Sequence, residues 1–142
     1  MQDKLFYDSN IWIYRFLKSD DKKDNLKRLK VKELLLNTSD IVASNQVLNE
    51  ITNILLIKYK LPANTVKEKL KYILDICDLF IITDIETFQA IDLKEKYNLS
   101  FYDSLIIASA INSACNILIT EDMQDGLIIE NKLKIINPFK GL

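Results

Sequence analysis

Four acidic residues stand where a carboxylate needs a chemical reason. Asp8 directly follows the apolar run Lys4–Tyr7 in F-Y-D-S-N, and Asp122 directly follows I-L-I-T in T-E-D-M-Q-D-G. On a helical wheel Val47, Leu48, Ile51, Ile54 and Leu55 form one apolar arc and Ile57 lies on the far side of Glu50, so the carboxylate falls within the apolar sector, while Asn49, Thr52 and Asn53 take the polar side. Asp103 opens the most apolar helical stretch of the chain, F-Y-D-S-L-I-I-A-S-A-I-N-S-A. Each acid has a bland alternative: a helix cap for Asp8, an ion pair with a lysine for Glu50, a capping box with Ser100 for Asp103. Taken together they describe carboxylates converging on one place. Like charges held close raise each other's pKa values, and a divalent cation removes the conflict. Oxygen-only donors favour Mg²⁺ or Mn²⁺ over zinc or copper.

What the chain lacks narrows the chemistry. It contains no histidine, so Ser-His-Asp triads and imidazole-based zinc sites are excluded. Its two glycines, Gly126 and Gly141, lie too late for a Walker loop, a GxGxxG turn or a GxSxG elbow. Carboxylates, hydroxyls and lysines remain. The 19 basic and 20 acidic residues give a net charge of −1, so any nucleic-acid binding must use a local patch. Candidate phosphate contacts are the run Lys22–Lys32 and Lys58, Lys60, Lys67, Lys69 and Lys71, each also readable as a solvated helix face. Tyr7, Trp12 and Tyr14 read first as core residues and second as stacking platforms for bases. Cys77 and Cys115, in apolar surroundings, read as reduced core thiols. The first residues, MQDKLFYDSN, lack the features of a signal peptide, and no apolar run is long enough to span a membrane. A cytoplasmic protein is the expectation.

The elements that must position the acids alternate between strand and helix. Strands are expected at Lys4–Tyr7, Ile41–Ala43, Leu79–Ile82, Asn116–Thr120 and Leu133–Ile136. Helices are expected over Asp8–Leu17, over Asp24–Asn37 with a core stripe of Leu26, Leu29, Leu34 and Leu35, from a Ser44 cap to Tyr59, from Asn64 or Thr65 to Ile76, over Asp84–Tyr97, and from a Ser100 cap to Ala114. Alternation without tight hairpins predicts a mostly parallel sheet covered on both faces, in one domain spanning residues 1–142. Sites in such sheets lie at the carboxyl ends of strands, where Asp8 and Asp122 fall.

Three stretches carry a family resemblance: F-Y-D-S-N-I at Phe6–Ile11, L-S-F-Y-D-S-L-I-I-A-S-A at Leu99–Ala110, and L-I-T-E-D-M-Q-D-G at Leu118–Gly126. V-L-N-E-I at Val47–Ile51 fits between them. In these motifs the chain resembles the PIN-domain nucleases, and among them the VapC-like toxins of toxin–antitoxin pairs. The resemblance spans essentially the whole chain. It implies an α/β fold, a three-layer α/β/α sandwich around a mostly parallel, about five-stranded sheet. It also implies Mg²⁺- or Mn²⁺-dependent hydrolysis of RNA, with Asp8, Glu50, Asp103 and Asp122 as catalytic and metal-binding residues. Asn10, Thr120 and Asp125 match auxiliary positions.

The implied partners are an RNA substrate, an antitoxin protein and a second copy of the chain in a homodimer. Apolar residues on Ser44–Tyr59 and Asn64–Ile76 (Leu48, Leu55, Leu56, Ile57, Leu70, Ile73 and Leu74) exceed what one sheet face readily covers, so a groove for an antitoxin helix is expected there, with Leu56 and Leu70 outermost. Two rival readings stand beside the nuclease: a non-catalytic PIN-like binding module, and a metal-dependent phosphoryl-transfer domain. A haloacid-dehalogenase-like phosphatase needs a second aspartate two residues after the first, where this chain has Asn10.

Overall fold

The computed structural model describes residues 2–142. Short, wholly buried apolar runs form its centre. In β1 (Leu5–Tyr7) and β2 (Ile41–Ser44) every residue is buried, as expected for parallel strands covered on both faces. β4 (Ile117–Ile119) pairs with β1 on the other side, Phe6 lying opposite both Val42 and Leu118. β3 (Asp78–Phe80) joins β2, and β6 (Leu133–Ile136) joins β4, all parallel. A sixth strand, β5 (Ile128–Ile129), runs antiparallel on β6, and the order is β3-β2-β1-β4-β6-β5. The expected α/β architecture and mostly parallel sheet are therefore present, with one edge strand more than expected. Two residues are too few to show a period.

Helices α1 (Ser9–Phe16), α2 (Lys22–Leu36), α3 (Asn45–Asn53), α4 (Ala63–Ile76), α5 (Asp84–Tyr97) and α6 (Phe101–Asn112) connect the strands. Connections leave β1 toward β2 and β3 on one side and reach β4 and β6 on the other. The strand order thus reverses between β1 and β4, and the crevice above their carboxyl ends is where such sheets bind ligands. α6 is buried from Ser104 to Ala110, and its hydroxyls are absorbed locally: Ser104 donates to Ser100 O and Ser109 to Leu105 O. Among the described residues no helix is long and apolar enough to cross a membrane.

Several boundaries depart from the expectation for identifiable reasons. α2 starts at Lys22 because Asp21 caps it, accepting from Lys23 N and Asp24 N. Its expected stripe is only half right. Leu34 and Leu35 pack on the core, but Leu26 and Leu29 are 42% and 58% exposed. The inward face carries Lys27, Val31 and Leu34 instead, because Lys27 reaches an ion pair with Glu121 at 2.6 Å. β3 ends at Phe80 because Ile82 N leaves the ladder to donate to Asn45 Oδ1. Ser44 caps α3 as expected, but the helix widens into a π turn at Ile54–Lys58, closed by Tyr59 N to Ile54 O. α4 begins at Ala63 after Pro62, with no side-chain cap from Asn64 or Thr65. On these two elements Leu55 and Ile73 are core, Leu48 and Leu70 pack against it, and Leu56, Ile57 and Leu74 are exposed. Leu70 is therefore not outermost; Ile57 and Leu74 are.

Ile51 is fully buried on α3, whereas Leu29 stands in solvent. Replacing Ile51 with Ala is expected to destabilise the protein by about 3 kcal/mol. The same truncation at Leu29 should stay within about 0.5 kcal/mol. Urea unfolding of the two variants checks the contrast; equal losses would contradict the observed rotation of α2.

Candidate active site

The peptide of Asp8 leaves β1 by donating from its N to Ile119 O, so the residue stays pinned beside β4. Its carboxylate caps α1, Oδ1 accepting from Ser9 N at 2.7 Å. The other oxygen, Oδ2, accepts from Thr120 Oγ1 at 2.8 Å, and both residues are buried. Thr120 Oγ1 in turn accepts from Asp122 N at 3.2 Å. One hydroxyl at the end of β4 thereby fixes two acids on adjacent strands. Asn10 Nδ2 donates to Asp122 Oδ2 at 2.7 Å, which orients the second of them. The capping reading of Asp8 holds, and the cap leaves its second oxygen on Thr120.

Glu50 arrives from α3 and Asp103 from the first turn of α6, where Ser100 Oγ caps the helix by accepting from Asp103 N. All four acids are close enough to feel one another. Burial pushes Asp8 above the usual carboxylate range, and the charges of Asp122 and Asp103 add to it. Glu50 is pushed up to about 7, first by burial and then by Asp8 and Asp103, with the Gln46 amide opposing. Asp103 is also raised, by burial and then by Asp122. No lysine or arginine answers this charge: among the described residues the ion pairs are Lys27–Glu121, Lys30–Glu33 and Lys96–Glu130. The lysine partner conceivable for Glu50 is thus not found.

The residues fit a hard divalent cation. Glu50 Oε1 is buried without a hydrogen-bond partner, as is Asn10 Oδ1, and both are oxygen donors beside an uncompensated acid cluster. Among the described residues no group of three or more acids is arranged to hold an ion directly. That is compatible with Mg²⁺, which takes one or two carboxylates and keeps several waters.

Asp125 stands apart, its Oδ1 accepting from Asn137 N and tying the loop after β4 to the end of β6. The network of Tyr14, Lys27 and Glu121 was not anticipated. Tyr14 Oη donates to Glu121 Oε1 and Lys27 Nζ to Glu121 Oε2, both at 2.6 Å. Lys27 is therefore withdrawn from the lysines available to a phosphate. Tyr7 and Trp12 are fully buried, which removes them as stacking platforms. Two clefts flank the acids. The larger, of about 530 Å³, runs along α3 from Asn45 to Asn53, past Glu50 and Tyr102; the smaller, of about 260 Å³, opens beside Asn10, Tyr14 and Lys58.

The chain is similar to known proteins in family and in fold. No curated protein matches the sequence. Among solved structures, a toxin–antitoxin complex from Klebsiella pneumoniae superposes with a TM-score of 0.69 at 19% identity, covering 95% of this chain and 98% of that one. VapC20 of Mycobacterium tuberculosis, described as a toxin that cleaves the sarcin–ricin loop, gives 0.64 at 17% identity over 81% of this chain and 87% of its own. VapBC2 of Rickettsia felis, bound to a DNA fragment from its promoter, gives 0.62 at 20% identity over 92% and 96%. The PIN domain family matches residues 5–124, which contain all four acids and the sheet's reversal point, and the chain belongs to that family.

Proposed function

We propose that this chain is a Mg²⁺- or Mn²⁺-dependent ribonuclease and the toxin of a toxin–antitoxin pair, acting in the cytoplasm as a single-domain protomer of a homodimer. The observation that carries the reading is the cluster of Asp8, Glu50, Asp103 and Asp122, drawn from four elements to one crevice with no side-chain cation among them. A bound divalent ion supplies activation of the attacking water and neutralises charge on the phosphoryl oxygens. Asp8, held by Ser9 and Thr120, and Asp122, held by Asn10, supply rigid oxygens at the sheet edge. Glu50 and Asp103 close the site from the helix side. The free lone pair on Glu50 Oε1 orients water by accepting one of its hydrogens.

Partners follow from surfaces the fold leaves uncovered. Leu56, Ile57 and Leu74 are 38%, 68% and 45% exposed on the π turn and α4, which suits an apolar antitoxin helix. The structural neighbour from Klebsiella is itself a toxin–antitoxin complex, which supports the same partner here. Ile85, Phe88 and Ile91 are exposed on α5, supporting contact with a second copy.

Asp8→Asn and Asp103→Asn are expected to keep the fold and reduce RNA cleavage in Mn²⁺ by at least about a thousandfold. Ca²⁺ should occupy the wild-type site without supporting cleavage, since its looser geometry does not align the water. Cleavage by either folded variant at the wild-type rate would exclude the assignment.

In the ion-free protein Glu50 holds its proton to about pH 7, whereas the unfolded chain releases it near 4.5. The folded state therefore binds more protons in that window, and stability falls as pH rises from about 4.5 to about 7. Discounted for its partial solvation, the loss is about 2 kcal/mol. Thermal melts in chelator should show the decline for wild type and a shallower one for Glu50→Gln. Adding Mn²⁺ at pH 8 should restore stability to wild type. Parallel pH profiles for the two proteins would remove Glu50 from the site.

Ile57→Lys and Leu74→Lys are expected to weaken antitoxin binding by about tenfold or more while RNA cleavage by the free toxin continues. Calorimetric titration with the antitoxin tests this. Unchanged affinity in both variants would place the antitoxin elsewhere.

A further inference from the structure

We propose that the larger cleft, between α3 and the start of α6, receives one unpaired nucleobase of the RNA beside the phosphate that is cut. The proposal rests on the ribonuclease reading and adds to it the device that selects where the strand is cut. Its basis is what lines the cleft. Asn45, Gln46, Asn49 and Asn53 fall on one side of α3 at helical spacing, so a ladder of amides faces a space of about 530 Å³. Clefts of roughly 300–1,000 Å³ are the usual size of sites for small organic groups. Glu50 belongs to the same helix and the same lining, so the ladder is continuous with the acid cluster.

The chemistry of that lining selects a base rather than a phosphate. No lysine or arginine lines the cleft, and Glu50 places negative charge at its wall. A phosphate there would meet repulsion with no compensating cation. Amides instead present a donor and an acceptor side by side, the pattern that pairs with the edge of a nucleobase. Asn45 is already committed, its Oδ1 accepting from Ile82 N, so it fixes the wall. Gln46 is committed only in part: its Nε2 donates to Tyr102 O across the cleft, while its Oε1 is buried with no partner, an acceptor left for a ligand. Tyr102 offers a ring that is 66% exposed at the rim, and Leu105 and Ile82 supply an apolar surface. Sequence-specific recognition of RNA proceeds by splaying out an unpaired base, stacking it on an aromatic ring and reading its edge. The required parts are present here within one cleft.

The test is an abasic scan. A short single-stranded RNA with one cut site is made with an abasic nucleotide at each position in turn, and kcat/KM in Mn²⁺ is measured for wild type, Asn49→Leu and Tyr102→Leu. Wild type should lose about tenfold when one particular base near the cut is removed, and little elsewhere. Both variants should lose less than about twofold for that same removal, because the cleft no longer reads it. The two changes lie on different helices, so a folding defect in one leaves the other to decide. If both variants keep the full wild-type penalty, or wild type shows no penalised position, the cleft reads no base, and the nuclease reading stands without it. If sedimentation shows that both variants also lose their oligomeric state, the cleft is a protein contact and the proposal is overturned. If wild type cuts no RNA at all, the nuclease reading falls and takes this one with it.

Discussion

Asp8, Glu50, Asp103 and Asp122 repel one another, and the fold brings them together regardless. Burial raises three of the four, and neighbouring negative charge adds to each shift. For Glu50 the two effects reach about 7, which places its protonation in the physiological range. Such a cluster is a standing cost to the empty protein. It persists because the groups that carry it are covalently attached to elements whose own packing is not negotiable: two central strands and two helices with fully buried faces.

Thr120 shows how that cost is contained. Its hydroxyl donates to Asp8 and accepts from the backbone N of Asp122, and Asn10 holds the Asp122 carboxylate, so neither acid is free to swing outward as repulsion would favour. Glu121, between Thr120 and Asp122 in sequence, is handled oppositely. Lys27 and Tyr14 take both of its oxygens and turn it toward α1 and α2. That ion pair neutralises Glu121 while leaving the four acids unneutralised. It also sets the rotation of α2, since a lysine drawn inward forces Leu26 and Leu29 outward.

Most of this was readable one residue at a time. Asp8 and Asp122 end apolar runs, Glu50 interrupts an apolar sector, and Asp103 sits inside a stretch too apolar to face water. Those are local conflicts between residue type and position, and a sequence displays them directly. The central strands β1 and β2 were legible for the same reason, each being a buried run. What stayed hidden depends on distance. Lys27 and Glu121 are separated by 94 residues, and nothing in their neighbourhoods singles out that pairing over any other lysine in the run. The misassigned stripe of α2 follows from it. The π turn after Asn53 was equally invisible, because Ile54–Lys58 has an ordinary helical composition. The amide ladder of α3 was seen only as a polar face; its meaning needed Tyr102 and Leu105 brought opposite it by α6.

The distribution of positive charge makes physical sense under the proposed activity. RNA is a polyanion, and a net charge of −1 provides no general attraction for it. The simplest remedy, a lysine among the acids, would defeat the site: an ammonium group there would pair with the carboxylates and compete with the ion. Cations are therefore useful only at a distance. Lys60, Lys67 and Lys71 are exposed on the segment after the π turn and on α4 and line neither cleft, while Lys58 borders the smaller one. Between them and the acids, contacts to a strand must come from neutral groups, and the side of α3 that borders Glu50 is made of amides. Attraction at long range, neutral recognition at short range and negative charge at the centre are then three layers of one arrangement, ordered by how strongly each would disturb the ion.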